Sequence, residues 1–201
     1  CFWLGTSEPH RGYELGAGKR TGKDPSKVIV PKFFPDHPVV RSDILDYYVE
    51  IEHFDQMVAR AMESLEKSGQ LDNTIVVVTS DHGMPFPRAK ASLYDAGSHV
   101  PLAIRWPKGI KDSGRTMDSY MNLSSLAPTF LAAAVLPAPD IITSGSPLPV
   151  LSNAGTRKRT AYLTNSAPST ALVRRDGCLP AGQALPSPPH PPPDRPQPQT
   201  H

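Results

Sequence analysis

Thr74-Ile75-Val76-Val77-Val78-Thr79-Ser80-Asp81-His82-Gly83 is the stretch on which the reading of this chain turns. Every residue from Thr74 to Thr79 is β-branched, and such side chains suit a pleated, packed surface. The run does not alternate apolar with polar, which predicts a central strand covered on both faces. Open α/β sheets bind ligands at the carboxyl ends of their strands, and there this run gives way to Asp81-His82-Gly83. Asp81 offers a hard oxygen and His82 an imidazole nitrogen, which together suit a metal ion. Gly83 lets the backbone turn sharply and approach a bound group. The same three residues also suit an Asp that caps the next turn and a His bonded to backbone.

Upstream of the strand, Arg41 to about Ser68 reads as a helix. Ile44, Tyr48, Ile51, Phe54, Val58, Met62 and Leu65 recur at steps of three and four and form one apolar face. Ser42 is the expected N-cap and Gly69 the expected C′ residue. A helix feeding such a strand is an α/β pattern. Before the helix, Pro31, Pro35 and Pro38 are expected to keep the chain out of helix, after a short extended piece at Val28-Ile29-Val30. Phe2-Trp3-Leu4-Gly5 reads as the end of another buried strand, running into a loop that carries His10. That placement makes His10 a candidate acid or substrate contact, while a solvated loop histidine is the alternative.

Downstream, Met84-Pro85-Phe86-Pro87-Arg88-Ala89-Lys90 is a proline-stiffened loop that returns two cations toward the strand end. Cations held beside a metal suit a tetrahedral oxyanion. The residues alone do not choose between that role and ordinary surface cations for Arg88 and Lys90. Val100 to Trp106 reads as a second strand, with Pro101 at its start and Pro107 at its end. Asn122 to about Val135 reads as a short helix interrupted by Pro128. Ala161 to Thr164 is a candidate strand. Beyond Cys178 the proline-rich sequence cannot bury apolar surface and is expected to be disordered or PPII-like.

Composition bounds the function classes. The chain has 201 residues, 38% hydrophobic and 20% charged, with a net charge of +2. That charge is too small to argue for nucleic acid, and Arg157-Lys158-Arg159 reads as a solvated turn. No apolar run is long enough to span a bilayer. Cys1 and Cys178 have no zinc-site spacing and no evident reason to pair. The start at Cys1 reads as a cut within a domain, so compartment is left unset.

These segments together resemble the sulfatase family. The resemblance rests on Ile75 to Gly83, then Lys90, then Gly97-Ser98-His99-Val100-Pro101-Leu102, preceded by Ser7-Glu8-Pro9-His10-Arg11 and the helix with Asp46-Tyr47-Tyr48. The loop from Asp81 to Lys90, followed by Leu93-Tyr94, is most similar to the heparan N-sulfatase branch. The resemblance implies an α/β, alkaline phosphatase-like sandwich, a mostly parallel sheet between helices, present here as a fragment. It implies Asp81 and His82 as ligands of a divalent metal, most often calcium, although many members have Asn where this chain has His82. Lys90 would contact the sulfate, with Arg88 a further substrate-binding candidate, and His10 would contact the sulfate and help protonate the leaving group. The substrate would be a sulfated small molecule or sulfated sugar, hydrolysed at a sulfate ester or sulfamate.

The nucleophile implied is a formylglycine made from Cys or Ser. It is expected outside these residues, because the modification motif, Cys or Ser followed two residues on by Pro or Ala and then by Arg two further, is read as absent, with neither Cys1 nor Cys178 beginning it, and the paired Asp ligands of the family are missing as well. The chain by itself is therefore expected to be inactive. With the resemblance, the chain reads as the second half of a catalytic domain over 1–136 and the start of a C-terminal subdomain over 137–177, while composition marks 178–201 as a proline-rich tail. The proline-rich tail departs from the family pattern, and a frameshift or truncated product is one reading of it. His99 is a candidate extra ligand on the pattern of phosphate-cleaving relatives, or a structural loop residue. The competing readings are a phosphodiesterase or phosphonate hydrolase of the same superfamily, and a non-enzymatic product whose tail is an interaction segment.

Overall fold

The long central helix organises everything that precedes the first strand. In a computed structural model, residues 1–117, 120–146, 151, 161–166, 169–174 and 177–178 are described. The tail beyond Cys178 and the cluster Arg157-Lys158-Arg159 lie outside the described residues. In chain order the elements are α1 (Ala17–Arg20), α2 (Pro38–Lys67), β1 (Val76–Thr79), α3 (Asp95–Ser98), β2 (Leu102–Arg105), α4 (Leu126–Ala133), β3 (Ala161–Ser166), β4 (Ser169–Arg174) and β5 (Gly177–Cys178).

Helix α2 begins earlier than its periodicity predicts. Pro38 occupies the first turn, and the N-cap is His37, whose Nδ1 accepts from the Val39 N–H at 3.3 Å. The expectation of Ser42 as cap is corrected. Proline at the first helical position sacrifices only an N–H that has no partner in the helix. The C-terminus behaves as read. Gly69 has φ 70°, its N–H bonds the Glu66 carbonyl at 2.9 Å, and the Gln70 N–H bonds the Leu65 carbonyl at 3.0 Å. That pair of bonds is a Schellman closure. Along the expected apolar face Ile44 is buried and Tyr48, Phe54, Val58, Met62 and Leu65 are partly buried, but Ile51 is exposed.

The core lies at the N-terminal half of α2. Val28, Ile44, Leu45 and Phe86 are buried together, with Val30, Phe34, Val40, Tyr47, Tyr48 and Met84 packed around them. Asp46 is fully buried there, and its carboxylate accepts the Gly16 N–H at 2.7 Å and the Gly18 N–H at 2.8 Å. Both oxygens of a buried charge thus find donors, which offsets its desolvation. Gly18 is required at this contact: a Cβ there would stand 2.7 Å from the Leu45 backbone. Arg41 fastens the segment before α2. Its guanidinium donates to the Pro25 and Val28 carbonyls, each at 3.0 Å, and to Asp36 Oδ2 at 2.7 Å.

β1 and β2 pair antiparallel, with Val76 opposite Arg105 and Thr79 opposite Leu102. The expected mostly parallel sheet is represented among the described residues by this one pair, together with an antiparallel sheet in the order β3-β4-β5. All four residues of β1 are only partly buried, so the expectation of a strand covered on both faces is corrected. A two-stranded ribbon leaves each strand with an open edge. Phe2 and Trp3 are 87% and 88% exposed and lie in loop, which corrects the expected buried strand at Phe2-Trp3-Leu4-Gly5. Apolar composition suggested that strand, but no pairing partner for it stands among the described residues. The strand at Ala161 extends to Ser166. Near Pro128 the chain forms a 3-10 turn over Leu123–Ser125 before α4, so the proline sits in the first helical turn.

Candidate active site

The turn after β1 is built by glycines that let backbones touch. The Gly83 N–H donates to the Gly97 carbonyl at 3.0 Å, and a Cβ on Gly83 would lie 1.8 Å from the Ala96 carbonyl oxygen. A Cβ on Gly97 would lie 2.4 Å from the Ala89 oxygen. Gly83 therefore has a sharper function than a flexible turn: it admits the backbone of α3 itself, at Ala96 and Gly97, against the turn after β1. The loop between them is pinned by Lys90 N–H to the Met84 carbonyl at 3.1 Å and Ala89 N–H to the Phe86 carbonyl at 3.2 Å. Arg88 and Ala91 have φ of 62° and 57°, left-handed values that cost a non-glycine residue about 1–2 kcal/mol each.

Asp81 and His82 stand side by side at the strand end. The Asp81 side chain is 84% exposed, and His82 Nε2 lies 3.6 Å from Asp81 Oδ2. His82 Nδ1 is 2.9 Å from the Gly83 carbonyl, which can only accept. Nδ1 therefore carries a proton, and Nε2 is the nitrogen left on the Asp81 side for a ligand. A hard oxygen and an imidazole nitrogen fixed through its other nitrogen fit a divalent cation. Among the described residues no group of three or more His, Cys, Asp and Glu is arranged to hold a metal, so the pair alone is a partial ligand set.

Lys90 and Arg88 are exposed on the same loop. The Arg88 guanidinium lies 5.3 Å from the centre of the Tyr94 ring. His10 is exposed and closes the turn Ser7-Glu8-Pro9-His10, its N–H donating to the Ser7 carbonyl at 2.9 Å across a cis Glu8–Pro9 bond. His99 sits on the surface after α3, with Nδ1 3.3 Å from Asp95 Oδ2.

The His10 turn and the Lys90 loop are connected by residues the sequence reading did not single out. Arg11 donates to Tyr13 Oη at 2.6 Å and to Asp43 Oδ2 at 2.7 Å, and Tyr13 donates to Asp43 Oδ1 at 3.0 Å. The same guanidinium lies 5.0 Å from the centre of the Phe86 ring, inside the Lys90 loop. Burial, and then the Asp43 carboxylate, push the Tyr13 phenol well above its ordinary value, so it remains a donor at neutral pH. These partners are separated by 30 and 32 residues, and no local spacing announces them.

Ser7-Glu8-Pro9-His10-Arg11 also has a spacing that the sequence reading passed over. It places Ser7, then Pro9 two residues on, then Arg11 two further, so the expectation that the modification motif is absent from this sequence is corrected. Here Arg11 is engaged by Asp43 and Tyr13, and Ser7 Oγ donates to Glu8 Oε1 at 3.0 Å. We read the segment as the turn that presents His10.

Comparison with known proteins sets this site in context. The family profile described as Sulfatase matches residues 1–136. Human N-sulphoglucosamine sulphohydrolase is 36% identical over 123 residues, 61% of this chain and 24% of that protein. N-acetylglucosamine-6-O-sulfatase of Bacteroides thetaiotaomicron is 36% identical over 139 residues, 65% of this chain and 25% of that protein. The chain thus spans about a quarter of the length of these relatives. A solved complex with D-glucosamine-2-N,6-O-disulfate, that protein's substrate, superposes with a TM-score of 0.60 at 28% identity, over 79% of this chain and 34% of that one. A phosphonate monoester hydrolase from Silicibacter pomeroyi superposes at 0.52 with 24% identity, over 73% and 30%, and shares the fold. The α/β fold is that of the alkaline phosphatase-like enzymes.

Proposed function

Because this chain belongs to the sulfatase family over residues 1–136, we propose that it supplies half of a metal-dependent site for hydrolysing sulfate esters or sulfamates. Asp81 and His82 are the residues that would hold the cation, and calcium is the ion that the family resemblance implies. When bound, that cation would neutralise charge on the sulfate group. Lys90 and Arg88 bind sulfate oxygens, and the pinned backbone of their loop spares part of the ordering cost of an oxyanion site. His10 holds a proton for the departing oxygen or nitrogen. Reading Ser7 to Arg11 as the His10 turn, we put the formylglycine nucleophile outside this sequence, of which 123 residues match 24% of the human relative. The substrate class is a sulfated sugar, a reading supported by two relatives named for sulfated glucosamines.

The observation that carries this reading is the strand-end turn. Asp81 and His82 are presented together while Gly83 is locked to Gly97 and Lys90 is held on the adjoining loop. Calcium titrated against the chain should shift the backbone amide signals of Asp81 and His82. Asp81→Ala should abolish that response without unfolding the chain. An unchanged response in the variant would remove Asp81 from the ligand set. The chain on its own should show no turnover of an aryl sulfate, and metal-dependent turnover by it would show that the nucleophile lies within these residues after all.

A further inference from the structure

The group of Arg11, Tyr13, Asp43 and Phe86 binds three parts of the chain that are distant in sequence. Arg11 follows His10 directly and belongs to the same loop. Asp43 is on α2, and its side chain is 26% exposed against 49% for Arg11, so the pair is partly withdrawn from water. Phe86 is 7% exposed and is seated edge-on against Tyr47 of α2, with centroids 5.5 Å apart and planes at 82°. The Phe86 ring thereby fixes the loop from Met84 to Lys90 against the helix, and its face is turned to the guanidinium of Arg11. One guanidinium thus makes a charged pair with the helix, a hydrogen bond to its own loop through Tyr13, and a cation–π contact with the Lys90 loop.

We propose that Arg11 is a positioning residue: it latches the turn that carries His10 onto the loop that carries Lys90, so that the two meet one oxyanion in fixed register. This rests on the reading of His10 and Lys90 as parts of one sulfate site. Lysine cannot replace arginine in the latch, because it lacks the planar fork that reaches Asp43 and Tyr13 while stacking on Phe86. Asp43 is the matching half, held on the helix.

Hydrogen exchange on the chain tests the latch, and sulfate titration tests the site beneath it. In Arg11→Met, Arg11→Lys and Asp43→Asn the amides of His10 and Lys90 should exchange at least tenfold faster together. Those of Val77 and Ile104 in the strand pair should stay within twofold. Exchange at His10 and Lys90 within twofold of the parent, or a rise shared equally by the strand pair, would overturn the latch. In the parent chain, inorganic sulfate should shift the His10 ring and Lys90 side-chain signals along one binding curve. In Arg11→Met the two curves should separate, with the weaker at least tenfold to higher sulfate. A parent chain that ignores sulfate would sink the site reading while the exchange result still decides the latch. Curves that stay superimposed in the variant would overturn the positioning role.

Discussion

At the scale of single residues, Gly83 is the least replaceable position near the site. A methyl group there would collide with the Ala96 carbonyl, and the neighbour is backbone, which cannot swing aside as a side chain can. Gly83→Ala should cost about 1–3 kcal/mol, the usual range for overpacking a fitted contact. It should appear as a lower urea midpoint, with the Gly83 amide losing exchange protection; an unchanged midpoint would mean that the turn relaxes freely. Asp81 and His82 tolerate change far better in stability terms, because they are partly or largely exposed. Scaffold and proposed chemistry are therefore separable here: glycine shapes the turn, and its neighbours are the proposed cation ligands.

At the scale of elements, the ends of α2 show what sequence reading can and cannot reach. Gly69 was legible because a left-handed position after a periodic run favours glycine, and its φ of 70° bears that out. Gly69→Ala should destabilise by about 1–2 kcal/mol, the cost of a side chain in that conformation. A thermal melt would show it, and a melting temperature equal to the parent's would mean that the Schellman closure contributes nothing. The start was less legible. Ser42 fits the usual cap preference, but a histidine nitrogen serves as acceptor at His37 and Pro38 already holds the first helical dihedral. The strand run at Thr74 to Thr79 announced β1, yet its direction relative to β2 is set by pairing, which local composition does not encode. Phe2-Trp3-Leu4 misled for a related reason: apolar residues identify a surface that can be buried, not the surface that buries it.

At the scale of the whole molecule, contacts of long sequence separation fix the loops that carry the candidate residues. His10, Asp81, His82, Arg88 and Lys90 could all be named from motif resemblance. The Arg11–Asp43 bridge that ties the His10 loop to α2 could not, because its partners are 32 residues apart. The Arg41 clamp is similar in kind and gives the chain an acid response. The Arg41 guanidinium, bonded to Asp36, holds its carboxyl below the ordinary value. A folded-state value depressed in this way contributes stability above the unfolded value and loses it as pH falls through the folded one. The melting-temperature advantage over Asp36→Asn should therefore be full near neutral pH and vanish in strong acid. An advantage that persists unchanged below pH 2 would assign it to something other than this carboxylate.

The buried Asp46 carboxylate has a consequence for how the chain is made. Its two donors, the amides of Gly16 and Gly18, precede it by 30 and 28 residues. Synthesis runs from the N-terminus at about 5–20 residues per second, so these amides leave the ribosome roughly one to six seconds before the carboxylate they serve. The receptor is present before the charge arrives, whereas Met84 and Phe86, which complete the core beside it, follow later in synthesis.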